Sequence, residues 1–146
     1  MSGLPIDPML SADSSRNFGG DSHFWLIPTG HGRVLHAGPG INMHLLDTRG
    51  NGDVQPMGPR GDDQFSVSGT AVMYDIGKVL KVGGSPGYEG FDANANAYAI
   101  DTSNGGAAVR KLAPMNYARV FHNSVVLPNG QVVIIGGQTR ALAFTD

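Results

Sequence analysis

The amino-acid sequence predicts an all-β fold, and three observations lead to that prediction. No segment keeps apolar residues at positions i, i+3 and i+4 over three turns, so no helix is expected. Short apolar runs rich in β-branched residues alternate with turns, and glycine and proline make up about a fifth of the 146 residues. A unit of strand, turn and strand also recurs three times along the chain.

The clearest unit covers residues 121–137. Residues 122–127 predict a strand, and Pro128-Asn129-Gly130 predicts a turn, because proline presets φ while asparagine and glycine tolerate positive φ. Residues 131–135 are mostly β-branched, which is typical of a strand buried on both faces. The pair Gly136-Gly137 is expected to end that strand.

Two earlier units have the same order. In each unit a glycine, five strand residues and a second glycine follow one another, and the first glycines are 45 and 53 residues apart. A period of about 50 residues with a closing glycine pair is the sequence sign of a kelch-type β-propeller blade. The predicted strands are 23–27 and 33–37 around a turn at 28–32, and 70–74 and 78–82 around a turn at 75–77.

A four-stranded blade needs two further strands, and both intervals contain candidates. Residues 43–47 and 53–57 supply them in the first unit, and residues 97–101 and 108–112 in the second. Pro56 fits only an edge strand, which the outermost strand of a blade is. The alternative is a β-sandwich whose glycine spacing is accidental.

The predicted organisation is a leading loop over residues 1–21 and a partial kelch β-propeller over residues 22–146. It contains about 2.5–3 four-stranded blades, approximately 22–67, 68–116 and an incomplete 117–146. A closed propeller needs at least four blades, and an open arc leaves two apolar sheet faces uncovered. We therefore expect part of a larger propeller, or a chain that closes by self-assembly or with a complementary chain.

Composition excludes several classes of partner. The net charge is −2 and no basic stripe with aromatic residues occurs, so nucleic acid is not expected. No apolar run approaches the ~18 residues that span a bilayer, and Met1–Pro5 lacks the features of a signal peptide. Cysteine is absent, which excludes disulfides, thiolate metal sites and cysteine nucleophiles.

The five histidines do not predict a metal site, because none forms a His-x-His or His-x3-His pair. His36 and His44 lie eight residues apart across a turn and can be neighbours, but two ligands do not close a site. We expect surface or strand-end histidines, and a core position for Trp25. The acidic stretch Gly61-Asp62-Asp63, taken with Asp53, is compatible with cation binding but is expected to be a solvated loop.

Several stretches resemble one family over about residues 8–144. They look like the kelch propeller of the copper-radical oxidases of the galactose oxidase and glyoxal oxidase type. The matching stretches are Gly-Gly-Ser-Pro-Gly-Tyr at 83–88, Asn-Ala-Asn-Ala-Tyr at 94–98, the segment 118–130, Asn42-Met43 and residues 69–75.

The resemblance implies a seven-bladed propeller followed by a C-terminal β-domain, in an extracellular enzyme. Such enzymes oxidise primary alcohols or aldehydes and reduce dioxygen to hydrogen peroxide. One copper ion is held by two tyrosines and two histidines, and one tyrosine is joined to a cysteine. The matching segment lies between the two halves of that copper site. The resemblance therefore implies no catalytic residue, no metal ligand and no cofactor in this chain, which we expect to be inactive alone.

The resemblance assigns substrate-binding positions in the pocket wall to Tyr88, Glu89, Phe121, His122, Phe144 and His23. Glu89 stands where galactose oxidase has a glutamine, and Gly19 where it has an arginine that binds sugar hydroxyls. Loss of that guanidinium removes a fork of hydrogen-bond donors, so a small alcohol or aldehyde is at least as suitable as galactose. The alternative function is a non-enzymatic carbohydrate-binding or protein-interaction module.

Overall fold

The computed structural model describes residues 24–64 and 66–142, which form ten β-strands and no helix. The described part of the chain thus contains no helix that is long and apolar enough to cross a membrane. The all-β prediction is confirmed. The strands are β1 (Leu26–Gly30), β2 (Arg33–His36), β3 (Asn42–Asp47), β4 (Asp53–Pro59), β5 (Thr70–Asp75), β6 (Lys78–Val82), β7 (Ala97–Asp101), β8 (Ala108–Lys111), β9 (Val120–Val126) and β10 (Val132–Gln138).

These strands form three antiparallel sheets in which neighbours in sequence are neighbours in space. The first sheet has the order β1-β2-β3-β4, and the second has the order β5-β6-β7-β8. The third sheet consists of β9 and β10. Four-stranded antiparallel meanders of this kind are the blades that the repeat predicts.

The main apolar core lies between the first and second sheets. Ile27, Leu35 and Met43 of the first sheet pack with Val79 and Ile100 of the second, and all five are buried. The core arises because successive side chains of a strand point to opposite faces, so one face of each sheet collects the apolar residues.

The first strand differs from the prediction, which placed a turn at residues 28–32. β1 continues to Gly30, with Pro28 opposite Val34, so that only His31 and Gly32 form the turn. β1 is an edge strand of its sheet, where the missing N–H of proline costs no hydrogen bond of the ladder.

The last strand differs in two ways. β10 runs through Gly136 and Gly137 instead of ending before them, and Gly136 lies opposite His122 on β9. The prediction of burial on both faces is also wrong, because Val133 and Ile135 are 36% and 55% exposed. Among the described residues no further sheet packs on the outward face of the third sheet, which therefore lacks the covering layer that the second sheet gives the first.

Candidate functional site

Four connections meet at one end of the sheets. In an antiparallel meander every second connection lies at the same end, which here gathers the loops between β2 and β3, β4 and β5, β6 and β7, and β8 and β9. Backbone hydrogen bonds join these loops to one another. They are Ser66 N–H to Pro39 O at 3.0 Å, Val67 N–H to Ser85 O at 2.9 Å and Gly84 N–H to Arg119 O at 2.9 Å.

Two of the predicted binding residues meet at this end. Tyr88 lies in the loop between β6 and β7, and Phe121 is the second residue of β9. Their rings are 5.9 Å apart between centroids and nearly perpendicular, at 86°. Both side chains are partly buried, so the pair presents an apolar, edge-to-face aromatic surface that links the second and third sheets.

Phe121 is held in an unusual backbone conformation. Its φ is +53°, a region that bulky residues seldom occupy. The Phe121 N–H donates a 2.9 Å hydrogen bond to the carbonyl oxygen of Ser68, which itself has φ +57°. Strained residues persist only where their surroundings fix them, so this contact positions the Phe121 ring beside Tyr88.

The other predicted binding positions are Glu89, His122, His23 and Phe144. Glu89 is exposed, directly after Tyr88. Its loop is tied to the segment after β10, since Gly90 N–H donates to Ala141 O at 2.6 Å. His23 and Phe144 lie outside the described residues. The substrate-binding roles of all six residues stay predictions.

His122 follows Phe121 on β9 and is buried. Its Nε2 lies 3.1 Å from Thr70 Oγ1, which in turn lies 2.5 Å from Ser124 Oγ. Burial, with smaller effects from Arg119 and Lys81, lowers the pKa of His122 to about 4. The imidazole is therefore neutral near pH 7 and joins the second sheet to the third.

His36 and His44 are neighbours, as their spacing predicted, with the two Nδ1 atoms 3.2 Å apart. The expectation was a surface or strand-end position. His36 is the last residue of β2, but neither histidine is at the surface, since they are only 2% and 5% exposed. They lie on adjacent central strands of the first sheet, directly opposite one another. Burial, then His44 and Arg60, lowers the pKa of His36 to about 4.

The described residues do not fit a copper centre. No three His, Asp or Glu side chains of residues 24–64 and 66–142 come together in a way that would hold a metal ion. The whole sequence lacks the cysteine that the tyrosine cross-link requires.

The prediction that the acidic stretch after β4 is a solvated loop is wrong for Asp63, although Asp62 is exposed. Asp63 is 4% exposed and forms an ion pair with Lys81 of β6, which is fully buried. Asp63 also accepts hydrogen bonds from Ser66 and from Asn96 Nδ2, the latter at 3.0 Å. Desolvation lowers the pKa of Lys81 to about 8, although the charge of Asp63 opposes this shift.

A second buried cation, Arg60, completes the polar cluster between the loops. Its guanidinium donates to the carbonyl oxygens of Ala37 at 2.5 Å and of Pro39 at 3.2 Å. It also lies 5.3 Å from the centroid of the Trp25 ring, which packs partly buried against the core. Trp25 therefore contributes to the core as predicted, although it precedes β1.

Sequence reasoning missed this cluster because lysine and arginine are usually exposed. One signal was available for Lys81. It lies two residues after the buried Val79 on the same strand, so the alternation places it on the inward face.

Comparison with known proteins gives one consistent family. No family model matches the chain. A galactose oxidase from Gibberella zeae strain PH-1 is 40% identical over 150 residues, and a second galactose oxidase from Gibberella zeae matches equally well. Each alignment includes 97% of this chain but 22% of the relative, so the chain spans about a fifth of the length of these relatives.

Two solved structures also resemble the chain. A fungal alcohol oxidase of the AA5 family, in complex with copper, superposes with a TM-score of 0.82 and is 42% identical, over 86% of this chain and 27% of its own. The structure of YjhT has a TM-score of 0.57 at 18% identity, over 80% of this chain and 38% of its own, and supports the fold alone. Sequence identity and fold together show that the chain is similar to part of galactose oxidase and of an AA5 copper alcohol oxidase.

Proposed function

We propose that the chain forms part of the substrate-pocket wall of a galactose oxidase-like oxidase, and that it is inactive alone. The observation that carries this proposal is the Tyr88–Phe121 pair, held at the loop end of the second and third sheets by the Phe121–Ser68 contact. The 40% identity to galactose oxidase over nearly the whole chain supports the family reaction.

That reaction is the oxidation of a primary alcohol or an aldehyde by dioxygen. An alcohol loses two electrons and two protons to become an aldehyde, and dioxygen takes up both to become hydrogen peroxide. Copper supplies the redox chemistry in the family. This chain contributes no cofactor and no copper ligand, and its part is to position the substrate.

The pocket wall suits a small substrate. Tyr88 and Phe121 offer an apolar surface, and the exposed carboxylate of Glu89 is a hydrogen-bond acceptor for a hydroxyl. Phe144 and His23 complete the proposed wall, whereas His122 is buried against Thr70 and would support the wall rather than line it. Since Gly19 lacks the guanidinium that recognises sugar hydroxyls, a small primary alcohol or aldehyde is the proposed ligand class.

The kelch blades in this proposal are completed by further β-structure. Among the residues that the structure describes, the third sheet has two strands where the first and second have four, which supports closure by self-assembly or by a complementary chain. By family resemblance the assembled protein is extracellular.

Copper content and peroxide release test the proposal. The purified 146-residue chain, incubated with Cu²⁺ and desalted, is expected to retain less than stoichiometric copper and to release no peroxide with a panel of primary alcohols and aldehydes. Stoichiometric copper with turnover on any member of the panel contradicts the proposal that the chain is inactive alone.

A second function, carbohydrate binding without catalysis, is favoured by the same aromatic pair, because aromatic faces stack on sugars. Calorimetric titration with a panel of monosaccharides tests it. Binding that is lost in Tyr88→Ala and kept in Tyr74→Ala, a partly buried tyrosine at the end of β5, would support it. If none of the sugars binds, this second function is contradicted.

A further inference from the structure

The sequence contains three Asn-Gly pairs, and each lies in the turn of a β-hairpin. They are Asn51-Gly52 between β3 and β4, Asn104-Gly105 between β7 and β8, and Asn129-Gly130 between β9 and β10. A following glycine makes an asparagine chemically labile, because no side chain shields the backbone nitrogen that can attack the asparagine amide. The local structure of each turn then decides how easily that attack occurs.

Asn129 is held at both ends of its side-chain amide. Its Oδ1 accepts a hydrogen bond from the backbone N–H of Gln131 at 3.1 Å, and its Nδ2 donates to Gln131 Oε1 at 2.8 Å. The backbone N–H of Gly130 is also bonded, to Leu127 O at 2.9 Å. Attack on the amide has to break these bonds, so the turn between β9 and β10 protects its asparagine.

The turn between β7 and β8 is anchored before Asn104, where Ser103 N–H donates to Asp101 Oδ1 at 2.9 Å. Asn104 itself is exposed, and within residues 24–64 and 66–142 its side-chain amide has no hydrogen-bond partner. Gly105 follows in open space, where a Cβ would meet no other atom within 4 Å. Its N–H makes a long bond to Thr102 O, at 3.2 Å. The amide and the attacking nitrogen are therefore less restrained here than in the turn between β9 and β10.

We propose that Asn104 is a site of spontaneous deamidation, with water as the co-reactant. The Gly105 nitrogen loses its proton to solvent and attacks Cγ of Asn104, so that a C–N bond forms. The bond from Cγ to Nδ2 breaks, and the amide nitrogen takes up a proton from water and leaves as ammonia. Water then opens the cyclic imide at either carbonyl, which gives aspartate or isoaspartate, and no electron is gained or lost.

The modified turn is separate from the proposed pocket wall. Successive connections of an antiparallel meander lie at alternate ends, so the turn between β7 and β8 lies at the opposite end of the second sheet from the loop with Tyr88. Each conversion adds one negative charge to a chain whose net charge is −2. The reaction needs neither copper nor an oxidase substrate, so it is independent of the proposed function.

Peptide mapping of the whole chain tests the proposal. The native protein is incubated at mildly alkaline pH, which favours loss of the backbone proton, and samples are digested with trypsin. The two asparagines fall in different peptides, because trypsin cleaves after Lys81, Arg110, Arg119 and Arg140. Mass spectrometry is expected to show conversion at Asn104 about tenfold or more faster than at Asn129, where two side-chain hydrogen bonds must break.

Two controls link this difference to the folded structure. In guanidinium chloride, where both turns are unfolded, the two asparagines are expected to convert at similar rates, because both precede glycine. Gln131→Ala removes the Oε1 acceptor of the exposed Gln131, so it is expected to speed conversion of Asn129 several-fold and to leave Asn104 unchanged.

The proposal is overturned if Asn104 stays an amide in the native chain while the unfolded chain converts, or if it converts no faster than Asn129. An unchanged rate at Asn129 in Gln131→Ala also contradicts it, because side-chain hydrogen bonds then do not set the rates.

Discussion

The buried ion pair between Asp63 and Lys81 provides the sharpest test of the packing. Lys81 is fully buried and Asp63 is 4% exposed, so neither charge is screened by water. Asp63→Asn keeps the shape and most hydrogen-bonding capacity of the side chain but leaves the Lys81 ammonium without its counter-charge. Removal of one partner of a buried pair costs about 3–5 kcal/mol, because the other charge stays buried and uncompensated.

Urea unfolding followed by circular dichroism measures this cost as a free energy, and a thermal melt measures it as a shift in melting temperature. At about 3 °C per kcal/mol for a domain of this size, the melting temperature is expected to fall by about 10 °C or more. Asp75→Asn is the matched control, because Asp75 forms an ion pair with Lys78 at 3.2 Å on the surface. That variant is expected to change stability little.

The double variant Asp63→Asn/Lys81→Met identifies the origin of the loss. With the cation also replaced by an apolar side chain of similar length, most of the lost stability is expected to return. The reasoning is refuted if the free energy of unfolding of Asp63→Asn lies within about 1 kcal/mol of that of the natural chain. It is also refuted if the double variant is no more stable than Asp63→Asn, because the uncompensated charge is then not the cause of the loss.

Three further predictions concern the sheets. Because the unfolded state binds more protons than the folded state between pH 6.5 and about 4, where the pKa of His122 lies, stability should fall on acidification through this range. His122→Gln should reduce the slope of that fall in urea unfolding at several pH values. Gly137→Ala should destabilise by more than Gly130→Ala in thermal melts, since both have positive φ but only at Gly137 would a Cβ lie 2.6 Å from Val120 O. Leu35→Ala, at a fully buried position, should cost about 2–5 kcal/mol in urea unfolding, against a small effect for the exposed Leu26→Ala.

The repeat predicted the strands well because its signal is local. Turn residues, β-branched runs and glycines act within a few positions, and the central strands follow their predicted ranges closely. Burial is a different property. β10 has the composition of a buried strand, yet it is exposed, because burial depends on neighbouring strands that its own residues do not encode.

The candidate site was predictable in its residues but not in its geometry. The resemblance named Tyr88 and Phe121, but no local rule predicts a left-handed backbone at a phenylalanine. That conformation depends on the carbonyl of Ser68, which lies 53 residues earlier in the chain. The sequence prediction wrongly placed Asp63 in solvent for a similar reason. Its partner Lys81 belongs to the next strand pair, so no residue close in sequence indicates the ion pair.

These two contacts indicate how the chain brings the aromatic pair together. The Asp63–Lys81 pair fixes the loop after the first sheet to a strand of the second, and the Ser68–Phe121 bond fixes that same loop to the third. One connecting loop, between β4 and β5, therefore sets the relative positions of all three sheets at the end where Tyr88 and Phe121 meet. The aromatic pair is thus a product of inter-sheet contacts among the described residues.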